Sequence, residues 1–531
     1  MALGTWGRRS SWLLLGVVGL FLVHSLFFFH GVRSIFDDAF ITFRYSHHLA
    51  SGLGPVFNPG ERVEGYTNFL WMIVLAGVGR LGASIPAASQ LLGILSGCAL
   101  LIAITRLGRN LGLGESYSVL PALALAVTPS FARYAVSGME TLLFAFWVTL
   151  GLVLVASPPS SLRGAAGAST VLVMGALTRP EGLLFAAVGV LYFAWAVWFG
   201  TQQADSRRRI SLLAAWVAPW LLISLPYFLW RWQYYGDLLP NTFYAKVGSG
   251  SLALASRGAS YLGLMLPIVN PFLTLLLMLL PWLRLSPSRV YLLGTATAYL
   301  AYLVVVGGDD YMIFGPRFLL AVFPALYVLG FGSLAGLLER ARARWRRPFL
   351  LGTMLLGALL LVGYGQFERL SYRHIMETMT RGWLAAGNWM RDALPANSLV
   401  AVDAAGIIPY VTGFETIDMY GLTDRHIAHL PWPTLGEGPA AHEKFDPLYI
   451  LRRNPDYVCV WIDEEGRPAA AGLGAHAGSF LNQYDLRAMV LMRQPLEGES
   501  EVRVVDGFES SLYATGYIYG IFARHSEGPA E

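Results

Sequence analysis

The sequence predicts a polytopic α-helical membrane protein with about 11 spanning helices and a C-terminal extracytoplasmic α/β domain. Three observations predict it. The 531 residues have a mean hydropathy of +0.51 and only 14% are charged, against about 25% in a soluble chain. The apolar residues are clumped into runs of about 17 to 25, the length that crosses a bilayer as helix. Those runs stop near residue 367. The net charge of +4 is small. Arginine clusters beside hydrophobic segments suit topology better than nucleic acid.

The first run, 12–29, follows Arg8-Arg9 and ends in FFFH without a small-residue cleavage signature. It reads as a retained signal-anchor. Spanning helices are expected at roughly 11–30, 86–105, 117–131, 136–156, 166–179, 182–200, 211–230, 258–283, 290–306, 317–338 and 348–366. Residues 67–81 are apolar but short, and a full crossing there would invert every later loop, so they read as a juxtamembrane or re-entrant helix. The Lys/Arg bias of the short loops then sets orientation. Arg8-Arg9, Arg106/Arg109, Arg207 to Arg209, Arg284/Arg289 and the run RARARWRR (340–347) fall in the cytoplasm with the N-terminus. The first external loop 31–66, the 133–140 turn, TRPEG (178–182), 234–246, 307–318 and everything after 367 fall on the other side of the cytoplasmic (inner) membrane.

The chain divides into a transmembrane domain, 1–366, and an external domain, 367–531. In the latter LVAVDAAG (399–406), ETIDMYG (415–421) and DYVCVWI (456–462) read as short buried strands with helix-like stretches between them, the pattern of an α/β domain. Cys98 and Cys459 suggest no disulfide framework.

Every loop rich in polar and aromatic residues lies on the external side. The most informative is DDAFITFRYSHHL, which opens on Asp37-Asp38 at the membrane edge, where idle carboxylates are costly. In a helix starting there, Asp37, Arg44 and His48 share one face, and Asp38 joins Thr42 and Tyr45 on the next. The bland alternative is that one Asp caps the helix. A second acidic pair, Asp309-Asp310, sits in a Gly-rich turn seven residues before Arg317. Arg179 in TRPEG needs an anionic partner, either Glu181 two residues away or a phosphate. Tyr244 and Lys246 add a phenol and an ammonium, and Glu140 is one more carboxylate at an outer helix end.

Carboxylates, cations and aromatics (Phe40, Phe43, Tyr45, Trp71) together suit sugar transfer from a phosphate-linked donor. A carboxylate takes the acceptor hydroxyl's proton and cations hold the departing phosphate. Arg179, Arg317, Lys246 and Tyr244 are the candidate phosphate ligands, with Arg44, His48, Asp309, Asp310 and Glu140 in support. Outside the cytoplasm a lipid-linked donor replaces nucleotide sugars, and no nucleotide fingerprint is visible. Neither GxSxG nor HExxH supports a hydrolase. The acidic pairs could also ligate a divalent cation, with His47-His48 nearby. A lipid-linked sugar transporter or flippase would need midplane polar groups and an internal repeat. Neither is visible. A non-catalytic glycan sensor would not need two acidic pairs with arginines at helix ends.

DDAFITFRY, NPGERVEGYTNFLW, SGMET, TRPEG, GDLLPNTFYAK, GGDDYMIFGPRF and VDAAGIIPYVTGFETIDMYGLTDRHIA, in this order, resemble blocks of the GT-C class of polyprenyl-phosphate-sugar-dependent membrane glycosyltransferases. Within that class the likeness is to the terminal β-(1→2)-arabinofuranosyltransferases of the corynebacterial cell wall. The resemblance implies an Asp of the first external loop, Asp37 or Asp38, as catalytic base. It also implies a polyprenyl-phosphate donor entering between helices, and an external domain helping to hold a cell-envelope glycan, lipid or protein acceptor. It does not fix the sugar as arabinofuranose.

Overall fold

In the computed structural model, residues 8–115, 117–200, 205–248, 251–309, 316–371, 376–493, 501–507 and 516–525 are described. The helical part opens with α1 (Arg8–Leu26), α2 (Asp37–Ala50), α3 (Phe69–Arg80) and α4 (Ile85–Asn110). It continues through α5 (Leu120–Ala126), α6 (Pro129–Val136), α7 (Thr141–Ala156), α8 (Leu162–Thr178) and α9 (Gly182–Phe199). Then come α10 (Ser206–Pro219), α11 (Leu225–Tyr235), α12 (Asn241–Lys246), α13 (Leu252–Val269), α14 (Pro271–Leu277), α15 (Pro287–Val305), α16 (Phe323–Arg340) and α17 (Ala343–Ser371). The protein is a multi-pass membrane protein.

Among the described residues seven helices are long and apolar enough to cross a membrane, or eight if the α5–α6 pair is one span, in place of the eleven expected. Prolines and caps account for the difference. The expected span 117–131 bends by 63° where α5 meets α6. Pro129 follows Thr128, whose Oγ1 lies 3.0 Å from the Tyr327 hydroxyl. The expected span 258–283 breaks at Asn270-Pro271. There Asn270 Oδ1 accepts from the Leu273 amide (3.0 Å) and its Nδ2 donates to Tyr327 (2.7 Å). Such side chains satisfy backbone groups that a helix end leaves orphaned. The expected 136–156 starts only at Thr141, and α7 and α8 have 16 and 17 residues. The expected 317–338 becomes α16, with Glu339 and Arg340 in its last turn. α10 and α11 form one 30-residue span through a π-turn at Trp220–Ser224, next to Pro219. The twelve residues of α3 rise only about 18 Å, short of the hydrocarbon core.

Packing explains why the short helices hold. Gly93 of α4 lets that helix meet α6 directly, because a Cβ there would collide with the Ala135 carbonyl. Trp71 is buried and donates its indole N–H to the Gly138 carbonyl (3.1 Å).

α17 runs on past residue 366 to Ser371, and α18 (Glu377–Ala393) opens the second unit. Its sheet comprises β1 (Leu399–Val402), β2 (Glu415–Asp418), β3 (Tyr457–Trp461), β4 (Tyr484–Arg493), β5 (Glu501–Asp506) and β6 (Gly516–Arg524), in the order β2-β1-β3-β6-β4-β5. The three expected strands are the parallel half, with β1 between β2 and β3. The antiparallel half, β6-β4-β5, makes the sheet mixed. The helix α19 (Ile407–Thr412) between β1 and β2 faces the helical part. That contact builds the site.

Candidate active site

α2 carries the acidic pair to the junction of the two units, and its two carboxylates have different surroundings. Asp37 accepts the backbone N–H groups of Gly406 (3.0 Å) and Ile407 (2.7 Å), where α19 begins. Two turns further along α2, the buried Arg44 donates to the carbonyls of Pro409 and Phe414 (2.6 Å for the latter), where α19 ends. It also holds the Phe57 carbonyl at 2.7 Å. Seven residues of α2 rise about 10.5 Å and the six of α19 about 9 Å. The face of α2 therefore spans α19 end to end, with a carboxylate at its positive end and a guanidinium at its negative end. Gly406 makes the approach possible, since a Cβ there would collide with the Asp37 backbone. His48, on the same face, donates from Nδ1 to the Val56 carbonyl (2.9 Å). The face shared by Asp37, Arg44 and His48 is a docking face. Burial pushes the Asp37 carboxyl up to about 7 against its two amide donors, with Asp38 and Asp403 adding to the rise.

Asp38 faces the other way. Arg317 bridges it to Asp309, with Nη1 3.1 Å from Asp38 Oδ2 and Nε 2.5 Å from Asp309 Oδ2. Asp309 follows the Gly307-Gly308 turn at the end of α15, where φ values of +85° and +65° require glycine. Lys246 at the end of α12 and His442 from the loop before 447 face the same carboxylate. Burial alone would raise the Asp38 carboxyl. Arg317 and then Lys246 more than offset it, so it stays below the usual carboxylate range. Burial holds the His442 imidazole and the Lys246 ammonium below their usual ranges. The Asp38 side chain remains 34% exposed, while Arg317 is 8% and Asp309 7% exposed. An ionised, anchored carboxylate with an open side can take a proton.

The bridging guanidinium bears on the candidate cation. Arg317 occupies the space between Asp38 and Asp309 where a shared divalent ion would sit, so this donor set does not fit one. Among the described residues no group of three or more His, Cys, Asp or Glu could hold a metal. Asp310 lies outside the described residues.

Arg179 answers to two carboxylates. Its Nη1 is 2.5 Å from Glu140 Oε1 and its Nη2 3.0 Å from Glu181 Oε1, all three side chains being 10% exposed or less. Glu140 Oε2 also accepts from Asn68 Nδ2 (2.7 Å), which ties the trio to Thr42 of α2. With two anions already on each, Arg179 and Arg317 offer a phosphate less than Lys246 does. Tyr244 stacks on His429 of the second unit at 4.1 Å. Next to it, Asn241 Nδ2 donates to the carbonyls of Gly421 (2.9 Å) and Leu422 (3.0 Å). Arg257 of α13 grips the loop carrying His442 through the Gly438 carbonyl and Glu443, both at 2.8 Å.

Sequence reasoning missed His442, Asn68 and Glu443. No motif marks AHEKFD, and only the fold brings His442 to a carboxylate some 400 residues earlier. Asn68 stands inside the stretch NPGERVEGYTNFLW. An amide placed directly before the apolar run FLWMIVLAGV was the available signal.

A family described as a domain of unknown function (DUF8728) matches residues 370–513. The chain is 31% identical over 233 residues to the terminal beta-(1->2)-arabinofuranosyltransferase of Mycobacterium tuberculosis, covering 41% of this chain and 36% of that protein. It thus spans about a third of the length of the curated relatives it matches. Among solved structures it is similar to the archaeal oligosaccharyltransferase AglB from Archaeoglobus fulgidus in complex with an inhibitory peptide and a dolichol-phosphate. There the TM-score is 0.55 and the identity 12%, over 94% of this chain and 75% of that one. It is also similar to ArnT from Cupriavidus metallidurans at 16% identity. The apo state gives a TM-score of 0.52 over 95% and 99% of the two chains. The form bound to undecaprenyl phosphate gives 0.50 over 76% and 86%. The chain has a GT-C-like fold.

Proposed function

We propose that this membrane protein of GT-C-like fold is a glycosyltransferase. It moves a sugar from a polyprenyl-phosphate donor to a hydroxyl of a cell-envelope glycan, lipid or protein. The observation that supports this most directly is the division within the acidic pair: Asp37 accepts two backbone amides, while Asp38 is held ionised by Arg317 with a third of its side chain open. In the proposed step Asp38 takes the acceptor hydroxyl's proton as that oxygen forms a bond to the anomeric carbon. The bond from the anomeric carbon to the phosphate oxygen breaks, and its electron pair leaves on the polyprenyl phosphate. Lys246 and Arg317, the cations beside Asp38, receive that charge, and Asp309 keeps Arg317 in place. Arg179 with Glu140 and Glu181, and Tyr244 on His429, line the approach of the donor.

The Lys/Arg bias supports a cytoplasmic N-terminus, with this site and the C-terminal domain outside the cytoplasm. The name of the M. tuberculosis relative makes an arabinofuranosyl donor the first to try. The test incubates purified protein with radiolabelled polyprenyl-phosphate sugars and extracted envelope acceptors, with and without EDTA. Transfer of one sugar, insensitive to EDTA, is the expected result. Donor binding without transfer to any acceptor would instead support a lipid-sugar transporter.

A further inference from the structure

At the end of the helix bundle opposite Asp38 lies a cavity of about 460 Å³. α15 fixes the separation. Arg289 in its first turn lines the cavity, and its last turn leads to Gly307 and Asp309, so its 19 residues place the two about 28 Å apart. That is the thickness of a bilayer's hydrocarbon core. The cavity therefore meets the opposite leaflet.

Its lining has two parts. Leu113, Phe331, Leu334 and Leu350 make an apolar wall between the end of α16 and the start of α17. At the rim stand Arg284, Arg289, Arg346 and Arg347, against the single carboxylate Glu339. Arg289 is held by the carbonyls of Leu111 (2.7 Å) and Arg284 (2.7 Å), which makes it a fixed charge. Arg284 reaches Glu339 across an exposed 2.7 Å pair, the kind that contributes little. Arg346 is tethered at the Ala341 and Glu339 carbonyls. The Arg347 side chain has no ion pair or hydrogen bond among the described residues. An apolar pocket of this size with a few convergent polar groups is the form of a small-molecule site. Guanidinium groups favour phosphate geometry, and a soluble anion would have no use for the apolar wall.

We infer that this cavity binds a membrane lipid with an anionic phosphate headgroup, its phosphate among Arg284, Arg346 and Arg347 and one hydrocarbon chain between α16 and α17. The site is independent of the sugar-transfer reading, since it shares no residue with the Asp38 cluster. Native mass spectrometry of the purified full chain tests it, with phosphatidylglycerol, phosphatidylcholine and inorganic phosphate as separate probes. Retention of phosphatidylglycerol roughly tenfold or more over phosphatidylcholine is expected, the scale of two arginines near an anionic lipid. R346A/R347A should abolish the preference. Ala335→Trp, which fills the apolar wall and leaves every arginine, should abolish retention. Equal retention of phosphatidylcholine, competition by inorganic phosphate alone, or unchanged binding in either folded variant would overturn the assignment.

Discussion

Replacing Arg44 with methionine keeps the apolar stem of a buried residue and removes its donors. Two of its hydrogen bonds, to the Pro409 and Phe414 carbonyls, reach the end of α19. Hydrogen bonds to a charged group contribute about 1.5–3 kcal/mol each, so the contact between the units should weaken by roughly 3–6 kcal/mol. At a factor of ten per about 1.4 kcal/mol, that is roughly 10²- to 10⁴-fold more frequent opening. Hydrogen exchange of the 406–414 peptide reads this directly, because the Ile407 amide is the one Asp37 holds at 2.7 Å. A peptide from α4, away from the junction, should exchange as before. If 406–414 exchanged at the native rate in folded Arg44→Met, α2 would not be the clamp described.

Three further outcomes follow from the same contacts. The Asp37 carboxyl stands near 7 in the fold against an ordinary 3.8, so between those values the folded chain holds a proton the unfolded chain has lost. Its stabilising contribution is complete below about pH 4 and is lost as pH rises through 7. Melting temperature should therefore fall from pH 6 to 8, with a shallower slope in Asp37→Asn and an equal slope counting against the assignment. Arg317→Lys supplies one ammonium where a guanidinium touches two carboxylates, and should lower sugar transfer at least about a hundredfold in protein that remains folded in the membrane, measured by kcat. Glu140→Gln leaves Arg179 paired with Glu181 alone and exchanges a charge-assisted hydrogen bond for a neutral one, so it should destabilise the protein by roughly 1–2 kcal/mol, read as a lower denaturation midpoint.

Much of this was legible in the sequence, and the residues show where legibility ended. The seven-residue interval between Asp37 and Arg44 places them on one face of a helix whatever packs there. It cannot say that the partner is a six-residue helix of another domain. The Arg179–Glu181 pair is local and could be read, whereas Glu140 reaches the same guanidinium from 39 positions away. Hydropathy windows averaged over Thr128-Pro129 and Asn270-Pro271, where buried side chains satisfy a broken helix and the chain turns inside the protein. The antiparallel strands β4 to β6 escaped notice because they follow no alternation of strand and helix.

The central claim is that the two adjacent carboxylates are not equivalent, and one comparison tests it most directly. Asp38→Asn and Asp37→Asn are assayed side by side for transfer from the polyprenyl-phosphate donor identified in the panel, in membranes with matched protein levels. Asp38→Asn should abolish transfer with its fold intact. Asp37→Asn should keep measurable transfer and loosen the 406–414 peptide. Full activity in Asp38→Asn, or loss confined to Asp37→Asn, would contradict the assignment of the base.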